Sequence, residues 1–225
     1  MQERFRQEIE NLKTNLIRMA SVVDEMVESA ITALETGDIE HCKGIKAKDL
    51  EVDAYDNLIQ TQCENTLALF TPFASDLRFV MSVLMINNQL ERCGDIAVNI
   101  AQRVKKTTAY SDLIKESQIL EEAQRARDML KKAIDSFIHN NNELAKEVLN
   151  SDEAVDRLNK QNFKFLVSKM QADSSVIEAG AHLLILTRQI ERLADHATNI
   201  AENLVFFIEA RVVTHYKRLN KPAKE

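Results

Sequence analysis

The sequence is poor in the residues that interrupt or rigidify a chain: 225 residues contain four Gly, two Pro and no Trp. So little turn-forming material excludes a many-stranded β fold and a disordered, low-complexity chain, while 45% hydrophobic and 28% charged residues suit a helical protein with a core. Cysteine is scarce too. Cys42, Cys63 and Cys93 are odd in number and show no C-x-x-C spacing, which excludes a disulfide framework or zinc finger and leaves buried free thiols. Positive charge is in deficit at a net −6, so no chain-wide basic field exists to attract nucleic acid. Long apolar runs are missing as well. The charged start M-Q-E-R-F-R-Q-E-I-E and the shortness of the apolar stretches near Phe79 to Ile86 and Leu204 to Ile208 point to a cytoplasmic protein without a membrane span.

What the chain does contain is itself, twice. Leu90 to Ala101 reads L-E-R-C-G-D-I-A-V-N-I-A, and Ile190 to Ala201, 100 positions later, reads I-E-R-L-A-D-H-A-T-N-I-A. Earlier, Met26, Ala30 and Ile31 match Met129, Ala133 and Ile134 at an offset of 103, as Asp49, Val52 and Asp53 match Asp152, Val155 and Asp156. The first half therefore carries three extra residues, which the turn at Thr71-Pro72-Phe73 can absorb. An internal repeat of this kind decides the architecture before propensity does.

Punctuation divides each half into three helices. The expected spans are about Glu3–Glu35, Ile39–Phe70 and Ser75–Lys106, then Leu113–Ile138, Glu143–Met170 and Val176–Arg211. Gly37 suits a helix C-terminus and Asp38 the next cap; Ser175 with Glu178 has capping-box spacing, with Ser75 as its counterpart. Long helices with short turns pack antiparallel. The fold class is thus all-α: two tandem, pseudo-symmetric antiparallel three-helix bundles, residues 1–108 and 109–225.

The third helix of each half has a narrow apolar stripe, Ile86, Leu90, Cys93, Ala97, Ile100 and Val104, repeated as Leu186, Ile190, Leu193, Ala197, Ile200 and Leu204. At 100° per residue, Glu91, Asp95 and Asn99 lie about 140°, 180° and 220° from that stripe. They face away from the core. Carboxylates at i, i+4 repel, at roughly 0.2 to 0.5 kcal/mol per pair. Yet the arrangement recurs as Glu91 with Asp95, Glu191 with Asp195, Asp49 with Asp53, and Asp152 with Asp156. Repeated oxygen donors at this spacing suit a hard cation on a surface or in a groove. His41, His139, His182, His196 and His215 lack histidine counterparts in the other half and read as packing or surface residues. None has Glu three residues before it, which removes the carboxylate-bridged di-metal oxidase reading. No G-x-S-x-G or phosphate-binding glycine loop supports a hydrolase either, so no enzyme activity is expected.

With these features assembled, the chain resembles the PhoU family of phosphate-uptake regulators over essentially its whole length. The resemblance is carried by L-E-R-C-G-D at Leu90 to Asp95, I-E-R-L-A-D at Ile190 to Asp195, and A-S-D-L-R-F-V-M at Ala74 to Met81. It implies metal clusters on the E-x-x-x-D motifs, here Glu91, Asp95, Glu191 and Asp195 with Asp49, Asp53, Asp152 and Asp156 as partners. The cation would be Fe, Mg, Mn, Ca or Zn held through oxygen. It further implies a homodimeric cytoplasmic adaptor between a phosphate ABC transporter ATPase and a phosphate-sensing histidine kinase, reaching the membrane only through those partners. Such an adaptor negatively regulates phosphate transport and phosphate-starvation signalling; the alternative reading of the same residues is a metal-free helical scaffold or interaction protein. Ala194 stands where the first half has Gly94, and Cys93 where the family carries an aliphatic residue.

Overall fold

The computed structural model describes residues 2–210 and is helical throughout, with no strand among the described residues. Six long helices carry the fold: α1 (Gln2–Thr36), α2 (Ile45–Phe70), α3 (Ala74–Thr107), α5 (Ile119–Ile138), α6 (Asn142–Ala172) and α7 (Ile177–Glu209). A short α4 (Ser111–Glu116) lies between the halves. The expected end at Arg211 and His215 lie outside the described residues.

Boundaries follow local chemistry. α1 stops at Gly37, whose φ of 72° is left-handed and whose N–H reaches the Ala33 carbonyl. The Asp38 carboxylate then accepts from the Glu40 N–H, as expected, but caps only one 3-10 turn, Ile39–Cys42. Gly44, also left-handed at φ 82°, ends that turn, so α2 begins six residues later than its apolar pattern predicts. The helix expected over 113–138 is likewise two: Ser117 Oγ accepts from the Ile119 N–H and donates to the Ile114 carbonyl, separating α4 from α5. The predicted capping box does not form. Asp173 caps instead, accepting from the Ser175 N–H, while Ser75 already lies inside α3. The three extra residues of the first half are the 71–73 turn between α2 and α3.

α1, α2 and α3 pack on one another, as do α5, α6 and α7. The bundles also share a single contiguous core, because α3 packs along α7 and α1 touches α5. Phe79 stacks edge-on to Phe207 at 5.6 Å, the Ser82 hydroxyl donates to the Asn203 carbonyl, Gln89 meets His196, and Arg103 meets His182. These contacts fix α3 and α7 as antiparallel in one register. Counterparts 100 residues apart meet midway, so Arg92 lies opposite Arg192 at a pseudo-two-fold axis. The same axis passes between α1 and α5, where Arg127 pairs with Glu28 at 2.6 Å. Here the halves have diverged: Asp24 and Glu28 correspond, at the 103 offset, to Arg127 and Lys131. A residue beside a two-fold axis faces its own counterpart, and identical charges there would repel.

Candidate metal centre

α2 and α3 run antiparallel, and Gly94 of α3 faces α2. A methyl group on Gly94 would meet Val52 Cγ1 at 3.4 Å, Met26 Cε at 3.7 Å and Asp49 Oδ1 at 3.8 Å. This brings the Asp49 carboxylate next to the turn of α3 that carries Asp95. Asp95 is exposed, while Asp49 and Glu91 are half-buried. Partial burial holds the Asp49 carboxyl above its ordinary range, with Asp53 and Asp95 adding to the rise and Lys46 opposing it. Burial likewise raises Glu91, with Asp95, Asp56 and Asp53 pushing the same way against Arg92. The four first-half residues predicted from sequence thus lie near one another across two helices, where burial first and acidic neighbours second raise the Asp49 and Glu91 carboxyls.

The platform includes a fifth carboxylate that repeat-matching does not select. Asp56, which accepts from Asn87 Nδ2 at 2.6 Å, contributes to the field on Glu91. Its counterpart is the uncharged Asn159, so the repeat drops it, although it lies one turn beyond Asp53 on the same helix.

The second half is different. Asp195 is exposed, and its carboxyl is raised by burial of its inner side and by Asp156, with Arg188 and Arg192 opposing. Glu191 is tied by an ion pair to Arg188, where the first half has Asn88. Asp152 is 4% exposed and lies inside the bundle rather than on its surface. Ala194 adds the methyl group that Gly94 omits. Of the four acids only Asp195 is exposed, and Glu191 is paired with a cation of its own half, so the second set presents less negative charge to solvent.

Among the described residues no three His, Cys, Asp or Glu side chains converge closely enough to hold a metal ion as they stand. The donors nonetheless fit a hard cation chemically: all are oxygens, and the first-half set is mutually repulsive. His196 turns away from the acids. Its Nδ1 bonds Gln89 Oε1 at 2.8 Å, an oxygen that also accepts from Asn199 Nδ2 at 3.1 Å, so Nδ1 carries the proton. Burial first, then Arg192 and Arg92, push its pKa down to about 4, and the ring is neutral at pH 7. The three thiols are buried, and burial raises each, which makes them inert packing groups. No described helix is long and apolar enough to cross a membrane.

Comparison with known proteins agrees with this architecture. The PhoU domain model matches residues 16–104 and again 119–204, one match per half. A phosphate-specific transport system accessory protein PhoU homolog of Clostridium acetobutylicum is 30% identical over 212 residues, covering 93% of this chain and 96% of that protein. The protein of the same description in Caulobacter vibrioides is 30% identical over 211 residues, covering 93% and 92%. Among solved structures, PhoU from Pseudomonas aeruginosa superposes with a TM-score of 0.86 at 27% identity, covering 92% of this chain and all of that one. The phosphate transport system regulatory protein PhoU from Streptococcus pneumoniae gives 0.82 at 27% identity, covering 93% and 99%. With both halves matched and the fold shared end to end, this chain belongs to the PhoU domain family.

Proposed function

We propose that this chain is a cytoplasmic, non-enzymatic accessory protein of a phosphate-transport system that restrains phosphate import and phosphate-starvation signalling. Its relatives' names supply the system. The partners in this reading are the transporter's ATPase and a phosphate-sensing histidine kinase, and the working form is a homodimer. The repeat boundary near residues 108 and 109 separates two scaffolding units rather than a catalytic and a binding domain.

We further propose that Glu91, Asp95, Asp49 and Asp53, assisted by Asp56, hold an oxygen-ligated cation, with Glu191, Asp195, Asp152 and Asp156 as a weaker second set. The single observation behind this is the gathering of the first-half carboxylates across the α2/α3 groove, where Asp49 lies against the Gly94 turn and its acidic neighbours add to the rise that burial causes. A bound cation would supply counter-charge, joining α2 to α3 without entering the core. Modest side-chain rotation must bring the oxygens together. Because Asp49, Glu91 and Asp195 are raised, their protonation on acidification competes with the cation earlier than for ordinary carboxylates.

Asp95→Ala with Asp195→Ala removes an exposed acid from each platform. Metal content by mass spectrometry is expected to fall to background while helicity stays at the wild-type level; undiminished metal refutes the assignment. The regulatory reading is tested apart from it, in a deletion strain, where phosphate-starvation genes are expected to become active in rich phosphate. Repression that persists there, with the metal result intact, leaves a metal-binding helical scaffold of another pathway.

A further inference from the structure

On α3 the residues Leu77, Met81, Met85, Asn88 and Arg92 follow steps of four, four, three and four, which places them on one face. On α7 the counterparts are Ile177, Ala181, Ile185, Arg188 and Arg192. A two-fold axis relating adjacent antiparallel helices stands perpendicular to their common plane, so both rows lie on the same side of the molecule. They are not covered by α1, α2, α5 or α6. Met85 is 47% exposed and Ile185 40%, with Leu77, Met81 and Ile177 also in solvent. Large apolar side chains gathered on one face in both repeats differ from the scattered ones that any surface shows.

At the centre of this face stand Arg92 and Arg192. Both lower the pKa of the half-buried His196, so the two guanidinium groups lie within electrostatic reach of one imidazole. Arg92 Nε donates to Asn88 Oδ1 at 3.2 Å, which leaves its terminal nitrogens free of that bond. Asp95 and Asp195 flank the arginines, and Arg188 is engaged by Glu191. The contrast with the other crossing of the axis is informative. Between α1 and α5 the counterparts at the axis have opposite charge, whereas between α3 and α7 they remain alike and face each other. Glu91 offsets part of the Arg92 charge and Asp195 part of the Arg192 charge, so what the symmetric centre offers an outside carboxylate is the remaining cationic edge of two like side chains.

By the α3/α7 register, Met85 and Ile185 lie about 11 Å to either side of the arginine pair at 1.5 Å per residue. We infer that this face is a docking surface for a partner's amphipathic helix, with a carboxylate seated on Arg92 and Arg192 and apolar side chains about 22 Å apart on Met81/Met85 and Ile185. Methionine suits the apolar end, since its unbranched side chain adapts to its occupant. A second copy of the chain is the wrong occupant: stacked centre on centre, it would gather four arginines at one axis. The inference deepens the adaptor reading and rests on it for the existence of a partner, but not on the metal.

The probe is a helix-stabilised synthetic peptide of about 18 residues, with Leu at both ends and a central pair of Glu, against the same peptide with central Lys. Binding is followed by fluorescence anisotropy and mapped by amide chemical shifts on the whole protein. The acidic peptide is expected to bind at least about tenfold tighter than the basic one and to perturb residues 81–92 and 185–192. R92A with R192A is expected to erase that preference, and M85A with I185A to weaken both peptides, with unchanged melting temperature. Equal binding of the two peptides, no binding, or shifts centred elsewhere overturns the inference. So does dissociation of a wild-type dimer by M85D in sedimentation, which would assign the face to a second copy. None of these readouts involves phosphate signalling, so failure of the regulatory reading would be seen separately.

Discussion

Glu122 on α5 is fully buried, and its two oxygens accept from Asn159 Nδ2 at 3.1 Å and Asn162 Nδ2 at 2.7 Å. Burial drives its pKa from 4.5 to about 7, the two amide bonds pulling back only part of the rise. The folded protein therefore binds a proton between pH 4.5 and 7 that the unfolded chain releases, and stability falls as pH rises through that window. A displacement of roughly 2.5 units, at 1.36 kcal/mol each, makes the loss about 3 kcal/mol, complete above pH 7. Glu122→Gln keeps the shape but does not titrate. Because Asn162 Oδ1 is already committed to the Gln118 N–H, the new amide cannot be satisfied on both sides, a fixed penalty of about 1–3 kcal/mol. That penalty does not depend on pH. The decisive quantity is the difference between variant and wild type, which should move in the variant's favour by about 3 kcal/mol from pH 4.5 to 8. Urea unfolding followed by circular dichroism at four pH values measures it, and stability curves that stay parallel would refute the reasoning.

Other consequences are simpler to check. Gly94→Ala meets its neighbours at ordinary contact distance, so the helix-propensity gain should leave stability equal or up by about 1 kcal/mol. Gly180→Ala would set a methyl 2.6 Å from Met170 Cγ and Sδ and should lower stability by about 1–2 kcal/mol, so chemical denaturation must give opposite trends. At the α1/α5 crossing, Arg127→Glu faces Glu28 and Asp24 with a third carboxylate and should destabilise by about 1–2 kcal/mol; adding Glu28→Arg should restore much of it in a double-mutant cycle. Residues 1–108 and 109–225 expressed separately should each fail to unfold cooperatively, because the α3/α7 packing around Phe79, Ile96 and Phe207 would face water. A sharp thermal transition in either half alone would make the repeats independent domains.

The repeat made the long helices and the outward direction of Glu91 and Asp95 legible, since helical phase needs only the apolar stripe and the 100° step. It could not reveal Gly44 as a break, because a left-handed glycine looks like any other glycine until the backbone is seen. Nor could it separate α4 from α5, a boundary set by one serine hydroxyl. The metal candidates were found as a duplicated pattern, and the same criterion hid two residues of equal interest. Asp56 has Asn159 as its counterpart, and Glu122 has Met19, a fully buried apolar residue. Matching the halves detects what duplication preserved and passes over what one half acquired alone.

That bias has a physical counterpart at the pseudo-two-fold axis. Positions far from the axis can stay identical at no electrostatic cost to one another, whereas the acidic pairs of α3 and α7 bracket the axial arginines and survive in both copies beside them. Positions on the axis touch their own counterparts, and a charge kept there must be complemented or answered from outside. Asp24 with Arg127 and Glu28 with Lys131 took the first course. His196 and Gln89 solved a polar version of it: the ring N–H satisfies one glutamine oxygen, while Gln189, whose counterpart contact would be the apolar Ile96, is left with a buried Oε1 that no group among the described residues bonds. Arg92 and Arg192 stayed alike and are offset only in part, by Glu91 and by Asp195, although one arginine-to-glutamate change would have turned their mutual repulsion into an ion pair. Their retention as like charges, on a face whose flanking residues are exposed and apolar, is the departure from the pattern that an external carboxylate accounts for.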